Sequence, residues 1–118
     1  MTTASPAVKA WTCARCKVRA TWAPGSEVQG RPATWTEDGD RLFCLTCQRA
    51  LAAEAAAFAA PADTSTERRA KLRSAAMVEF EIRRDPDRSN GEIARSIRSS
   101  VPAVAKARLR LGVAPPTG

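Results

Sequence analysis

Polar and apolar side chains alternate along Lys17-Val18-Arg19-Ala20-Thr21-Trp22, and this period of two predicts a half-buried strand. Pro24-Gly25 then turns the chain. Thr34-Trp35-Thr36 and Arg41-Leu42-Phe43 flank Asp38-Gly39, a pair suited to turns that need positive φ, so a hairpin is predicted there. From Gln48 to Phe58 the chain is rich in Ala and free of Gly and Pro. Leu51, Ala55 and Phe58 recur in it at helical spacing, which predicts a helix.

Beyond Pro61 the pattern changes. Ala59-Ala60-Pro61-Ala62-Asp63 combines a helix-stopping Pro with small residues and reads as a linker, residues 61–65. Thr64-Ser65-Thr66-Glu67 places a hydroxyl at an N-cap and a carboxylate three residues on, so a helix starts here. Leu72, Ala76 and Phe80, with Ala75 nearby, give it an apolar face. Asp85-Pro86 ends it, because the residue before Pro is pushed out of the helical region. Ser89-Asn90-Gly91-Glu92 is a second capping box and opens a helix of about two turns through Ile97. Arg98-Ser99-Ser100 breaks it, and residues 101–111 form a third helix with Val101, Val104, Ala107 and Leu111 on one face.

Cys13, Cys16, Cys44 and Cys47 are the only cysteines of the chain, and there is no His. Two Cys-x-x-Cys knuckles bring four thiolates to one tetrahedral ion, so these four are the predicted metal ligands. A redox pair would explain only half of them, and neither pair follows a parallel strand. A metal also suits the length, since 118 residues with 5% aromatics build only a thin core unless something staples it. The predicted organisation is a disordered N-terminus (1–9), a four-cysteine module (10–60), the linker, a helical domain (66–112) and a disordered C-terminus (113–118).

The net charge is +7, with seven basic against five acidic residues in 1–60 and twelve against seven in 61–118. Positive charge is concentrated in the half without cysteine, the footprint of a polyanionic partner. Arg supplies 15 of the 19 basic residues and 24 residues are Ala, a bias that GC-rich bacterial coding produces. No run approaches the roughly 20 apolar residues that span a bilayer, and residues 1–9 lack the apolar core of a secretory signal. The expected location is the cytoplasm, in association with the nucleoid.

Knuckle, hairpin, then a knuckle leading into a helix is the order of treble-clef zinc modules, which residues 11–59 resemble. Rubredoxin-like iron sites also hold long loops between two Cys-x-x-Cys pairs, but they place Gly after each second cysteine. Lys17 and Gln48 stand there in this chain, which favours one structural Zn2+ over iron. Trp11, Trp22 and Trp35 are expected in the core of this module rather than as a platform for stacking bases.

Residues 85–112, DPDRSNGEIARSIRSSVPAVAKARLRLG, resemble the helix-turn-helix segments of serine recombinases and of ParB-like bacterial regulators, over about a quarter of the chain. The Ser-Asn-x-Glu-Ile-Ala opening carries the resemblance, with small Ala94 ten residues before Val104, where two helices crossing at a wide angle need a residue without bulk. Where those families have Gly and then an apolar residue in the turn, this chain has Arg98 and Ser99, which implies a looser turn or a longer helix before it. The resulting fold class is a small α+β zinc module, a treble clef of β-hairpin plus helix, followed by an all-α three-helix helix-turn-helix domain.

The resemblance makes residues 101–111 a recognition helix in the major groove of double-stranded DNA. Its roughly 100° step per residue turns Ala103, Lys106 and Arg110 outward. Lys106 and Arg110 would meet guanine edges or phosphates, Ala103 a thymine methyl, and Ser99 or Ser100 phosphate or bases. Ser89 and Asn90, at a helix N-terminus, would take a phosphate, with Arg95 and Arg98 extending that contact. Arg108 lies nearer the buried face and is expected to pair with an acid such as Glu79.

The expected function is sequence-specific DNA binding by a small bacterial transcription regulator. The alternative is an adaptor or RNA-polymerase-associated factor whose two modules bind protein. A homodimer is expected, with the Ala-rich helix as one candidate surface, and the zinc module is a candidate site for RNA polymerase or another protein. An enzyme is not expected: treble-clef nucleases need His, and no serine or carboxylate constellation stands out.

Overall fold

The fold was analysed in a computed structural model, in which residues 10–23, 25 and 30–116 are described. The chain divides into two compact units, residues 1–48 and 49–118.

The first unit is built from two short antiparallel hairpins. Strand β1 (Ala10–Thr12) pairs with β2 (Arg19–Thr21), Trp11 opposite Ala20, and β3 (Thr36–Asp38) pairs with β4 (Arg41–Phe43), Glu37 opposite Leu42. The second hairpin has its exit strand where the sequence places it, at Arg41–Phe43, while its first strand lies two residues later than expected. Its turn is Gly39-Asp40, with Gly39 at φ 64°, a value a side chain would strain. The partner strand β1 has no alternation long enough to announce it, and the turn expected at Pro24 lies outside the described residues. A small core gathers Cys13, Trp35, Phe43, Cys44 and Cys47, with Trp11 and Ala20 partly buried against it. Trp35 is thus a core side chain and Trp11 flanks it. Trp22 is half-buried, and its indole N–H donates to the Gly30 carbonyl.

Helix α1 (Leu45–Ala59) starts three residues earlier than its composition suggests, which puts Cys47 in its first turn. The stripe that announced it faces water. Phe58 is 91% exposed and Leu51 37%, whereas Ala53 and Ala57 are buried. With mostly Ala on offer, the ends of the helix decide which face turns inward rather than the few large side chains. Arg49 pairs with Glu81, and the guanidinium of Arg69 takes the Ala57 carbonyl at the other end. Arg69 also donates to the carbonyls of Pro61 (2.8 Å) and Ala62 (3.5 Å), which ties the start of the expected linker to α2.

Helix α2 (Thr66–Arg84) is capped by Ser65 and not Thr64, and the Ser65 hydroxyl accepts from Arg68 N–H at 3.0 Å; with Arg68 three residues on, the reciprocal carboxylate half of the expected capping box is absent. It is apolar on two faces. Leu72, Ala76 and Phe80 line a shallow groove with Ala52 and Ala56 of α1. Val78 and Ile82 instead enter the main core with Ile93 and Ala94 of α3 (Asn90–Ser96) and Val104 and Ala107 of α4 (Val101–Leu111). Ile82, Ile93 and Val104 are 0% exposed, and each such burial contributes roughly 1.5–3 kcal/mol. Ala94 and Val104 meet in this core as the ten-residue spacing requires. Val101, expected inside, is 50% exposed.

The break between α3 and α4 is tight. Arg98 takes φ 54°, and Ser99 N–H donates to the Ala94 carbonyl at 2.8 Å, the closure a Gly normally provides after a helix. The expected looser turn or longer helix is not found, because α3 ends at Ser96 and Arg98 adopts the left-handed conformation itself. At the far end Gly112 closes α4 at φ 69°, and Val113 packs against the core.

Candidate functional site

The four cysteines come together as their spacing predicts. Cys13 follows β1 and Cys16 lies in the turn after it, while Cys44 leaves β4 and Cys47 sits in the first turn of α1. The Ala14 amide donates to the Leu42 carbonyl at 2.7 Å and so ties the first knuckle to the second hairpin. All four Sγ atoms lie within 4.8 Å of one another, and Cys16 Sγ is 3.8 Å from Cys44 Sγ. With metal–sulfur bonds of about 2.3 Å, a tetrahedron of thiolates has edges of about 3.8 Å, so the donor set fits Zn2+. Such an ion would supply cross-linking and charge, joining the two hairpins and the helix start through these residues.

The surroundings suit thiolates. Four of them around a dication leave a net charge of −2. The Arg15 guanidinium lies 3.8 Å from Cys47 Sγ, and the Cys44 amide points at Cys13 Sγ at 3.5 Å. Burial raises Cys13, but the amides of Cys16, Cys44 and Arg15 outweigh it and bring this thiol down to about 6. Burial pushes Cys47 up to about 12 despite Arg15, and it raises Cys44. The first knuckle closes with Lys17 at φ 67°, its amide donating to the Cys13 carbonyl at 3.0 Å. Lys17 thus adopts the backbone that Gly would take. Its presence alters the cost of the knuckle and not its shape.

The side chains expected on DNA divide into two groups. Ser89 and Ser100 spend their hydroxyls as N-caps, accepting from Glu92 N–H at 3.1 Å and Ala103 N–H at 3.2 Å. The Asn90 carboxamide oxygen accepts from Arg108 Nε at 2.6 Å. Arg108 is 2% exposed and also donates to the carbonyls of Arg88 (2.7 Å), Pro86 (3.1 Å) and Ala114 (3.2 Å). The expected pairing of Arg108 with Glu79 is therefore corrected. Arg110 reaches Glu79 at 3.3 Å, and Arg83 reaches it at 3.6 Å. Arg108 points to the other side of α4, where carbonyl dipoles solvate its charge.

Arg95, Arg98 and Lys106 are exposed. Ser99, Ala103, Lys106 and Arg110 line one wall of a groove of about 700 Å³, whose opposite wall is the first half of α2 with Glu67, Arg68, Lys71 and Ser74. These α2 residues were missed as site residues. They recur at helical spacing as a polar stripe, but nothing local to them indicates which helix they face. Comparison of the chain with protein-family models, with curated proteins and with solved structures gives no match. Among the described residues no helix is long and apolar enough to cross a membrane.

Glu81 was missed as well. It is 0% exposed at the end of α2 and is gripped by Arg49, by Arg84 at 2.8 Å and by Arg88 at 3.3 Å. The arrangement is structural, since a fully enclosed carboxylate with three cations has no face left for a substrate.

Proposed function

We propose that this protein binds double-stranded DNA sequence-specifically, as a small bacterial transcription regulator without enzymatic activity. Its cysteine unit is a treble-clef-like module with one structural Zn2+, and α2, α3 and α4 are a helix-turn-helix. One observation carries the reading: Ala94 of α3 and Val104 of α4 share one core across a tight turn at Arg98, while Ala103, Lys106 and Arg110 stand on the flank of α4 that borders the groove beside α2. A short helix so held presents the next helix as a rigid rod, the form in which base edges are read. Affinity comes from neutralised phosphates and specificity from two or three side chains of α4. A single domain of this size needs a second contact for useful affinity, which favours a homodimer.

Selection from a random duplex pool tests this. A palindromic consensus, lost with Lys106→Ala, is expected; recovery of no consensus defeats the reading.

A second reading rests on Phe58 and Leu51, exposed together on α1. Bulky apolar side chains exposed on one helix face suit a protein partner, so an adaptor that contacts RNA polymerase is the alternative. In a gel-shift salt titration that adaptor binds random duplexes no better than a Lys106→Ala/Arg110→Ala variant.

A further inference from the structure

The groove beside α4 has a second basic wall. Arg68 and Lys71 stand three residues apart on α2, and Lys106 and Arg110 four apart on α4; all four line the same cleft with one acid, Glu67. At 1.5 Å of rise per residue the pairs extend about 4.5 Å and 6 Å along their helices, so the charges form two short rows rather than a point. Among the described residues Arg68, Lys71 and Lys106 enter no ion pair, whereas Glu79 holds Arg110 at 3.3 Å. Three exposed cations facing one cleft repel one another, a cost that a polyanion removes.

The remaining lining residues decide what kind of polyanion fits. Ser74 and Ser99 add hydroxyls, Ala75 and Ala103 add little bulk, and among the described residues no aromatic side chain lines the groove. Unstacked bases bind on aromatic platforms, so single-stranded nucleic acid has nothing to stack on here. A phosphate-sugar backbone needs only cations and hydroxyl donors, and these are what the groove holds.

We infer that Arg68 and Lys71 of α2 hold the phosphate backbone of the DNA strand flanking the major groove that α4 enters, so that the first helix of the bundle is part of the DNA-binding site. This rests on the DNA-binding reading above and extends it to residues that act on affinity and not on sequence choice. Contacts to phosphate fix register and carry no sequence information, so the two walls separate in their effects. Glu67 opposes the same phosphates and limits the affinity.

The test is binding of the full chain to the selected duplex and to a random duplex, measured between 50 and 300 mM NaCl. Each phosphate contact contributes about −0.9 to the slope of log K against log salt. Arg68→Gln/Lys71→Gln is expected to flatten the slope by nearly 2 and to weaken both duplexes about equally, by roughly tenfold or more at low salt. Arg68→Lys/Lys71→Arg restores the slope, which excludes a folding defect as the cause. Glu67→Gln is expected to tighten both duplexes severalfold. If the wild-type protein binds both and the double Gln variant leaves the slope unchanged, the role of α2 is overturned and the DNA-binding reading stands. If the wild-type protein binds neither duplex at any salt, both fall together.

Discussion

Asn90 Oδ1 accepts from Arg108 Nε at 2.6 Å, which joins the start of α3 to a cation that is 2% exposed within α4. An asparagine at a helix start that resembles a phosphate contact is here a clamp for a buried guanidinium. Removing it leaves a charged group short of an acceptor, at a cost of about 1–3 kcal/mol. Asn90→Ala should therefore lower the thermal midpoint by several degrees, while the folded fraction retains its duplex affinity. Loss of affinity at unchanged stability, read by calorimetry and gel shift on the same sample, would return Asn90 to the DNA.

Glu81 is the counterpart on the acidic side. Arg49, Arg84 and Arg88 converge on it, and they are themselves only 18%, 27% and 20% exposed. Glu81→Ala leaves three crowded cations without their counter-charge, a loss of about 3 kcal/mol or more. Glu81→Gln keeps the shape and removes the charge, and should cost nearly as much. Urea unfolding of the two variants distinguishes charge from packing; a Gln variant as stable as wild type would show that shape alone matters.

Lys17 and Arg98 occupy left-handed backbone at φ 67° and 54°. A side chain there costs roughly 1 kcal/mol, partly offset in a glycine variant by its freer unfolded chain. Lys17→Gly and Arg98→Gly should each stabilise their own unit by up to about 1 kcal/mol. Arg98→Gly also removes a proposed phosphate contact, so stability and affinity should move in opposite directions. A lower midpoint in either variant would mean that the side chain does more than endure the turn.

Metal removal should act on the first unit. Its core is largely the cysteines themselves with Trp35 and Phe43, so chelation should quench tryptophan order there while the helical signal of α2 to α4 persists. One zinc per chain is expected; a coloured iron protein would refute the zinc assignment.

Protons compete with that metal. In the metal-free protein Cys13 is lowered to about 6 and is largely a thiolate at pH 7.5, whereas Cys44 is raised and Cys47 lies at about 12. Zinc binding at pH 7.5 must then expel at least the protons of Cys44 and Cys47, so affinity rises with pH and falls as acid returns those protons. Without metal the sign differs by residue. The lowered Cys13 contributes stability above its unfolded value that is lost as pH falls through about 6, and the raised Cys47 opposes it at high pH. Calorimetry in buffers of different ionisation enthalpy counts the protons; release of none would contradict these environments.

Much was legible because it is local. The four cysteines announce their own cluster, since Cys-x-x-Cys bends the chain within four residues. Ser89 announces the start of α3, Asp85-Pro86 the end of α2 and Gly112 the end of α4, because caps and breakers act on the backbone beside them. The ten-residue step from Ala94 to Val104 likewise survives folding, being set by two helices and one short turn.

Other features depend on which elements meet. Leu51, Ala55 and Phe58 repeat like a core stripe, yet the ends of α1 are held by Arg49 and Arg69 and the stripe is left outside. Leu72, Ala76 and Phe80 border a groove shared with α1 rather than joining the three-helix core, a choice that α2 alone, apolar on two sides, does not make. Arg108 and Arg110 stand two residues apart on one helix; only the neighbouring elements decide that the first is buried among carbonyls and the second reaches Glu79. Sequence by itself determined the four-cysteine cluster, the order of the helices and most of their limits, because those follow from short-range backbone chemistry. Only the tertiary structure decided which faces are buried, which cations are already spoken for and that α2 forms the second wall of the groove, because each depends on partners distant along the chain.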